Sequence, residues 1–278
     1  MFRSLAALTA AMAALVLSSP AVAAIPRRIV SLSPSATETL YAIGAGRQIV
    51  AVDELSDYPR RAPRTKLSGY TPNVEAIAAY RPDLVVLAFD SGDAVAGLRR
   101  LGIRTVVQPA PTNLEQAYRR IRLLGAVTGH RPGANRLVRS MRTGIARAVA
   151  SVRRRPLRVY HELTPDYYSA TSRTFIGRIY ALFGLRNIAD AAEGSGSGYP
   201  QLSGEYIVAA NPQLIVLADG KCCGQNAATV AARPGWRSIA AVRTRSVVAV
   251  DDSVASRWGP RIVQFVRAVA AGLSRVPG

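Results

Sequence analysis

Six aromatic side chains, Tyr58, Tyr70, Tyr167, Tyr168, Tyr199 and Trp258, fall in stretches dominated by loop-forming residues. A loop aromatic offers a large apolar face, and tyrosine adds a hydroxyl handle, so such a set suits a flat, amphipathic ligand. The plain alternative for any one of them is packing beneath its own loop. Two of the six recur, because Gly69-Tyr70 and Gly198-Tyr199 each stand ahead of a copy of one design. The copies cover 74–88 and 204–218, and Glu75/Glu205, Ile77/Ile207, Pro82/Pro212, Leu84/Leu214 and Val86/Val216 match at an offset of 130 (205 − 75). An acid in a first helical turn gains about 0.3–1 kcal/mol from the helix dipole, a sufficient structural reason for Glu75 and Glu205. The functional reading is a pair of equivalent carboxylates displayed to a partner with two equivalent basic pockets.

Signatures of covalent or hydrolytic chemistry are sparse. The chain has no Gly-x-Ser-x-Gly elbow and no Walker A loop, and Gly44-Ala45-Gly46 lacks the third glycine of a dinucleotide fingerprint. His130 and His161 are the only histidines, too few for a His-rich metal centre. No catalytic residue and no metal ligand is therefore assigned. The competing class, an exported hydrolase, would need a carboxylate at a strand end, and Asp90, Asp219 and Asp251 occupy such places. Cys222 and Cys223 are adjacent, and free thiols, a vicinal bridge and an intermolecular link all remain open.

The elements that must position these residues follow from periodicity. Each repeat copy reads as a short helix, a proline stop and a continuous apolar run, which suits a strand buried on both faces of a parallel sheet. Strands are expected over 28–32, 48–52, 105–107, 157–161 and 247–250. Helices are expected over 36–43, 93–101, 112–127, 175–183, 226–232 and 261–273. Ser35 with Glu38, and Thr112 with Glu115, have capping-box spacing. A helix over 134–152 carries Leu137, Val138, Met141, Ile145, Ala148, Val149 and Val152 on one stripe, midway between the two copies. Alternating strands and helices predict an α/β fold with mostly parallel sheets, in two similar lobes joined by one long helix, with a ligand cleft between them. The expected organisation is an N-terminal lobe over 24–130, a connecting helix over 131–155 and a C-terminal lobe over 156–278. The loop Lys221-Cys222-Cys223-Gly224 follows the second repeat strand and is expected to face the cleft.

Residues 1–23 read as a secretory signal: Arg3, an apolar run from Leu5 to Leu17, and Ala21-Val22-Ala23 as the cleavage pattern. No cysteine lies near that cut, so a soluble periplasmic protein rather than a lipoprotein is expected. The formal charge is +19, and 36 residues are Lys or Arg. Scattered arginines and export argue against nucleic acid as a partner. A compositional bias that aids solubility, and attraction to anionic ligands or surfaces, remain as readings.

Arg28-Ile29-Val30-Ser31-Leu32-Ser33-Pro34-Ser35-Ala36-Thr37-Glu38, Ser56-Asp57-Tyr58-Pro59, Asn73-Val74-Glu75-Ala76-Ile77, Tyr199-Pro200-Gln201-Leu202-Ser203 and Gly259-Pro260-Arg261-Ile262 together resemble the helical-backbone (class III) periplasmic substrate-binding proteins of ABC importers. The match is closest to the cobalamin-binding branch and covers essentially all of the sequence after the signal. The resemblance implies a monomer with rigid lobes and no intrinsic cofactor. Such a protein captures a corrinoid, haem or ferric siderophore and passes this small-molecule metal chelate to a permease dimer with its cytoplasmic ATPase. It implies Tyr58, Tyr70 and Tyr199 as cleft walls, and Glu75 and Glu205 as docking posts on permease arginines. Tyr168 and Trp258 complete the expected ligand-binding set. Tyr70 and Tyr199 stand where tryptophans can occur in cobalamin binders. A tyrosine near position 70 is also an iron ligand in haem binders, although these often carry Gly-Gly-Ser where this chain has Ser33-Pro34-Ser35.

Overall fold

The computed structural model describes residues 24–277, so the signal read over 1–23 lies outside the described residues. The first half runs β1 (Ile29–Leu32), α1 (Pro34–Ile43), β2 (Ile49–Val52), α2 (Val74–Ala78), β3 (Leu84–Leu87), α3 (Ala94–Arg100), β4 (Arg104–Val107) and α4 (Leu114–Val127). A 20-residue helix, α5 (Arg131–Ala150), follows. The second half runs β5 (Arg158–Glu162), α6 (Phe175–Leu182), β6 (Arg186–Asn187), α7 (Gly204–Ala210), β7 (Leu214–Leu217), α8 (Gly220–Cys223), α9 (Ala227–Ala231), α10 (Ala240–Arg243), β8 (Val247–Ala249), α11 (Asp252–Ser256) and α12 (Ile262–Leu273). The fold is α/β, with two four-stranded parallel sheets ordered β2-β1-β3-β4 and β6-β5-β7-β8.

The inner strands β3 and β7 are apolar throughout because both sheet faces are covered. Leu84 and Val86 of β3 face one core cluster while Val85 and Leu87 face another. Leu214 and Val216 split from Ile215 and Leu217 in the same way in β7. This is the two-residue period of a strand packed on both sides. The cluster on the inner faces is continuous through both halves. Met141 and Ile145 of α5 share it with Leu40 and Ile121 before, and with Phe265 and Val269 after. Accordingly α5 packs on α1, α4 and α12. A Cβ on Gly133 would collide with the Ile43 carbonyl, so only glycine permits this approach of α5 to α1.

The repeat extends beyond the matching letters. Asn73 and Ser203 each cap their helix by accepting an amide three residues on, from Ala76 and Tyr206. Arg81 and Asn211 both adopt left-handed backbone, φ 47° and 45°, to turn from helix to strand. Arg28 donates to the carbonyls of Tyr80 and Arg81, and Arg158 donates to that of Asn211, again 130 apart (158 − 28).

Helix starts needed correction. Ser33, not Ser35, caps α1, because Pro34 has no N–H to satisfy and suits the first turn. Asn113, not Thr112, caps α4 by accepting from Gln116 N. The long helix begins at Arg131 rather than Ala134, since Pro132 is tolerated in a first turn. Lys221, Cys222 and Cys223 belong to the short helix α8 rather than to a loop, and the two cysteines are bonded to each other.

Candidate functional site: the cleft at the strand ends

Parallel strands send all their C-terminal ends to one edge of a sheet, where ligands of open α/β sheets are bound. Here those edges face each other. The segment after β4 (Ala110, Pro111, Thr112) meets the segments after β5 (Arg173, Thr174) and β8 (Ala255, Ser256, Trp258), and with Tyr199 they line a cavity of about 440 Å³. That volume lies in the range of small-molecule pockets.

An ion cluster fastens the two edges beside this cavity. Glu38 of α1, 3% exposed, accepts from Arg261 Nε (2.9 Å) and Nη2 (2.6 Å) and from Arg257 Nη1 (3.0 Å). Arg257 also donates to Asp57 (2.8 Å) and to the Leu55 carbonyl (2.9 Å), and Lys221 reaches Asp57 at 3.2 Å. Burial pushes the Asp57 carboxyl up, but Arg257 and Lys221 outweigh it and hold the group below its ordinary value. The hydrogen bonds to Glu38 raise the Arg261 pKa. Glu38 was expected in a capping box; its carboxylate is instead shared by two arginines of the other half.

The expected ligand residues divide into groups. Tyr199, 46% exposed, and Trp258, 7% exposed, line the same cavity, Trp258 as a mostly buried wall. Tyr58 lines a separate recess of about 340 Å³ with Tyr41 and Arg61, and the Arg261 guanidinium lies 4.4 Å from its ring centre. Tyr70 is exposed and packs on Phe89, ring centres 5.8 Å apart. Phe89 was missed in the sequence because it closes the apolar run of β3; half-exposed, it extends the aromatic surface that Tyr70 begins. Tyr168 is half-exposed and bridges to Gln201. Tyr167 turns inward, stacking on Trp236 with Arg233 against both rings.

Glu75 and Glu205 are exposed in the first turns of α2 and α7, and neither makes a salt bridge among the described residues. The Glu205 backbone amide and the Ser203 hydroxyl hold Glu205 below the ordinary carboxylate value.

Two of the three strand-end aspartates hold local structure, whereas both carboxylate oxygens of Asp219 are buried without a hydrogen-bond partner among the described residues. Asp90 accepts the Val95 amide, and Asp251 caps α11. Asp219 is fully buried beside Glu162, which Arg233 grips with two hydrogen bonds (2.6 and 2.7 Å). Burial, then the Glu162 charge, push the Asp219 carboxyl up to about 7. Asp252 holds α8 in place by accepting the amides of Lys221 (3.0 Å) and Cys222 (2.7 Å). Among the described residues no three His, Cys, Asp or Glu side chains stand together as a metal site.

Comparison with known proteins agrees with this architecture. Residues 29–254 match the family model described as "Periplasmic binding protein". The chain is 30% identical over 260 residues to an uncharacterized ABC transporter substrate-binding lipoprotein of Bacillus subtilis, covering 89% of this chain and 80% of that one. It is 34% identical over 249 residues to a cobalamin-binding protein of Halobacterium salinarum, covering 86% and 67%. Among solved structures, the apo periplasmic heme-binding protein RhuT of Roseiflexus sp. RS-1 superposes with a TM-score of 0.76 at 25% identity, over 90% of this chain and 99% of that one.

Proposed function

We propose that this chain, which belongs to the periplasmic binding protein family, is the substrate-binding component of an ABC importer and captures a metal chelate in the cleft between its sheets. A corrinoid such as cobalamin is the first reading, haem the second and a ferric siderophore the third. The carrying observation is the facing of two strand-end edges across a cavity walled by Tyr199 and Trp258, with Tyr70, Phe89, Tyr168 and Tyr58 exposed on the flanking loops. Exposed rings cost solvation unless something flat covers them, and a corrin or porphyrin does so. The cobalamin-binding relative at 34% identity favours the corrinoid. The haem-binding neighbour at 25% identity, and Tyr70 as a phenol on the cleft loop, support the second reading.

Delivery follows from the same symmetry. Glu75 and Glu205, exposed at corresponding places of the two halves, dock on a two-fold permease whose cytoplasmic ATPase drives import. The helix α5 is the strut that joins the lobes. The protein acts in the periplasm as a soluble monomer, and the lack of a cysteine beside Ala21-Val22-Ala23 supports release from the leader over a lipid anchor. Binding and release need no catalytic group, so we assign none. Reconstituting the chain with its permease tests this function: chelate import should depend on both the chain and ATP, and import independent of the chain would refute it.

A further inference from the structure

Of the residues lining the 440 Å³ cavity, Arg173 alone carries a charge. Its side chain is 63% exposed, and its nearest acid is Glu193 at 3.9 Å. Glu193 is already committed, accepting from the amides of Ser195 (2.9 Å), Gly196 (2.8 Å) and Gly198 (2.7 Å) and from the Ser195 hydroxyl (3.0 Å). It therefore shapes the Gly/Ser loop and holds the guanidinium loosely at the cavity wall. An exposed pair at that distance leaves most of the arginine's donors unspent. Beside it, the Ser197 oxygen accepts the Tyr199 amide (3.0 Å), and because the Ser195 proton goes to Glu193, the Ser197 hydroxyl donates to the Ser195 oxygen (2.9 Å).

We infer that Arg173 receives an anionic oxygen of the ligand, a carboxylate or a phosphodiester, while Tyr199 and Trp258 cover its ring. The inference rests on the metal-chelate reading and adds to it that the ligand carries an anionic arm on the side of the second lobe. A planar guanidinium suits either oxyanion because it presents parallel donors. Two sources supply such an arm: the phosphodiester of a cobalamin's nucleotide loop, or a haem propionate.

The test compares the parent chain with Arg173→Gln and Arg173→Lys in titrations with two ligand pairs. These are cyanocobalamin against dicyanocobinamide, which lacks the phosphodiester, and haemin against its dimethyl ester. Arg173→Gln is expected to weaken the anionic member of the pair that binds by at least about tenfold and to leave the neutral member within about twofold. Arg173→Lys should retain part of the difference, and the pair affected identifies the source. Equal losses for both members, or no loss for either, would overturn the inference while leaving the chelate reading intact. A parent chain that binds neither pair removes the tetrapyrrole reading and the inference with it.

Discussion

Glu38 and Arg261, 223 positions apart, are joined by two hydrogen bonds of 2.9 and 2.6 Å across the boundary between the two sheets. Arg257 adds a third at 3.0 Å, so one nearly inaccessible carboxylate is shared by two guanidiniums. With the apolar core that runs unbroken through α5, this contact fixes the spacing of the two edges between which a ligand sits. The cleft is thus set before a ligand arrives, which lowers the ordering cost of binding.

Removing that carboxylate leaves two buried guanidiniums underpaired. Glu38→Ala is expected to cost about 3 kcal/mol, the low end for breaking a buried pair, because Asp57 and the Leu55 carbonyl still hold Arg257. Urea unfolding should show a lower midpoint at unchanged slope. A loss below about 1 kcal/mol would mean that the core alone fixes the lobes.

Two buried groups give opposite pH dependence. Burial lowers His161 to about 3, so between about 3 and 6.5 the unfolded chain binds the extra proton and stability rises with pH. Asp219 is raised from 3.8 to about 7, so across that window the folded chain binds the extra proton and stability falls as pH rises. Asp219→Asn removes only the second effect. Its stability should gain about 1.4 kcal/mol per pH unit relative to the parent between pH 4.5 and 6.5, measured by urea unfolding across that range. An unchanged or shallower slope would show that Asp219 is ionised in the fold.

Docking separates from capture. The double substitution Glu75→Ala with Glu205→Ala should leave chelate affinity unchanged while abolishing permease-dependent uptake, because both carboxylates are exposed and neither lines the 440 Å³ cavity. A loss of chelate binding would place them in the cleft instead.

The bonded pair Cys222–Cys223 predicts that the folded chain takes up no thiol alkylating reagent until a dithiol reductant is added, after which mass spectrometry should find two adducts. Immediate labelling would contradict the bridge.

How much was legible depended on whether a signal was local. The strands β3 and β7 announced themselves because four apolar residues in a row suit a strand covered on both faces. The equivalence of Arg81 and Asn211, or of Asp83 and Gln213, was invisible in letters, since what repeats is a left-handed turn in the first pair and a side-chain oxygen accepting the Arg28 or Arg158 amide in the second. The partners of Glu38 lie 219 and 223 positions away, and no periodicity reports a contact that distant. Glu38 and Ser35 at capping-box spacing therefore suggested the wrong bond. The helix α8 was missed because four residues are too few for a period and its anchor, Asp252, comes 30 positions later. Arg173 was hidden among 36 basic residues. Its isolation in an otherwise uncharged cavity is visible only once the loops are folded around it.

Capture of a metal chelate in the cleft is checked by calorimetric titration of the mature chain with cyanocobalamin, haemin and a panel of ferric siderophores. We predict binding to at least one at micromolar affinity or tighter, about 8 kcal/mol, with the corrinoid first. Affinities no tighter than about millimolar for every member of the set, about 4 kcal/mol, would mean that the cleft does not capture a metal chelate.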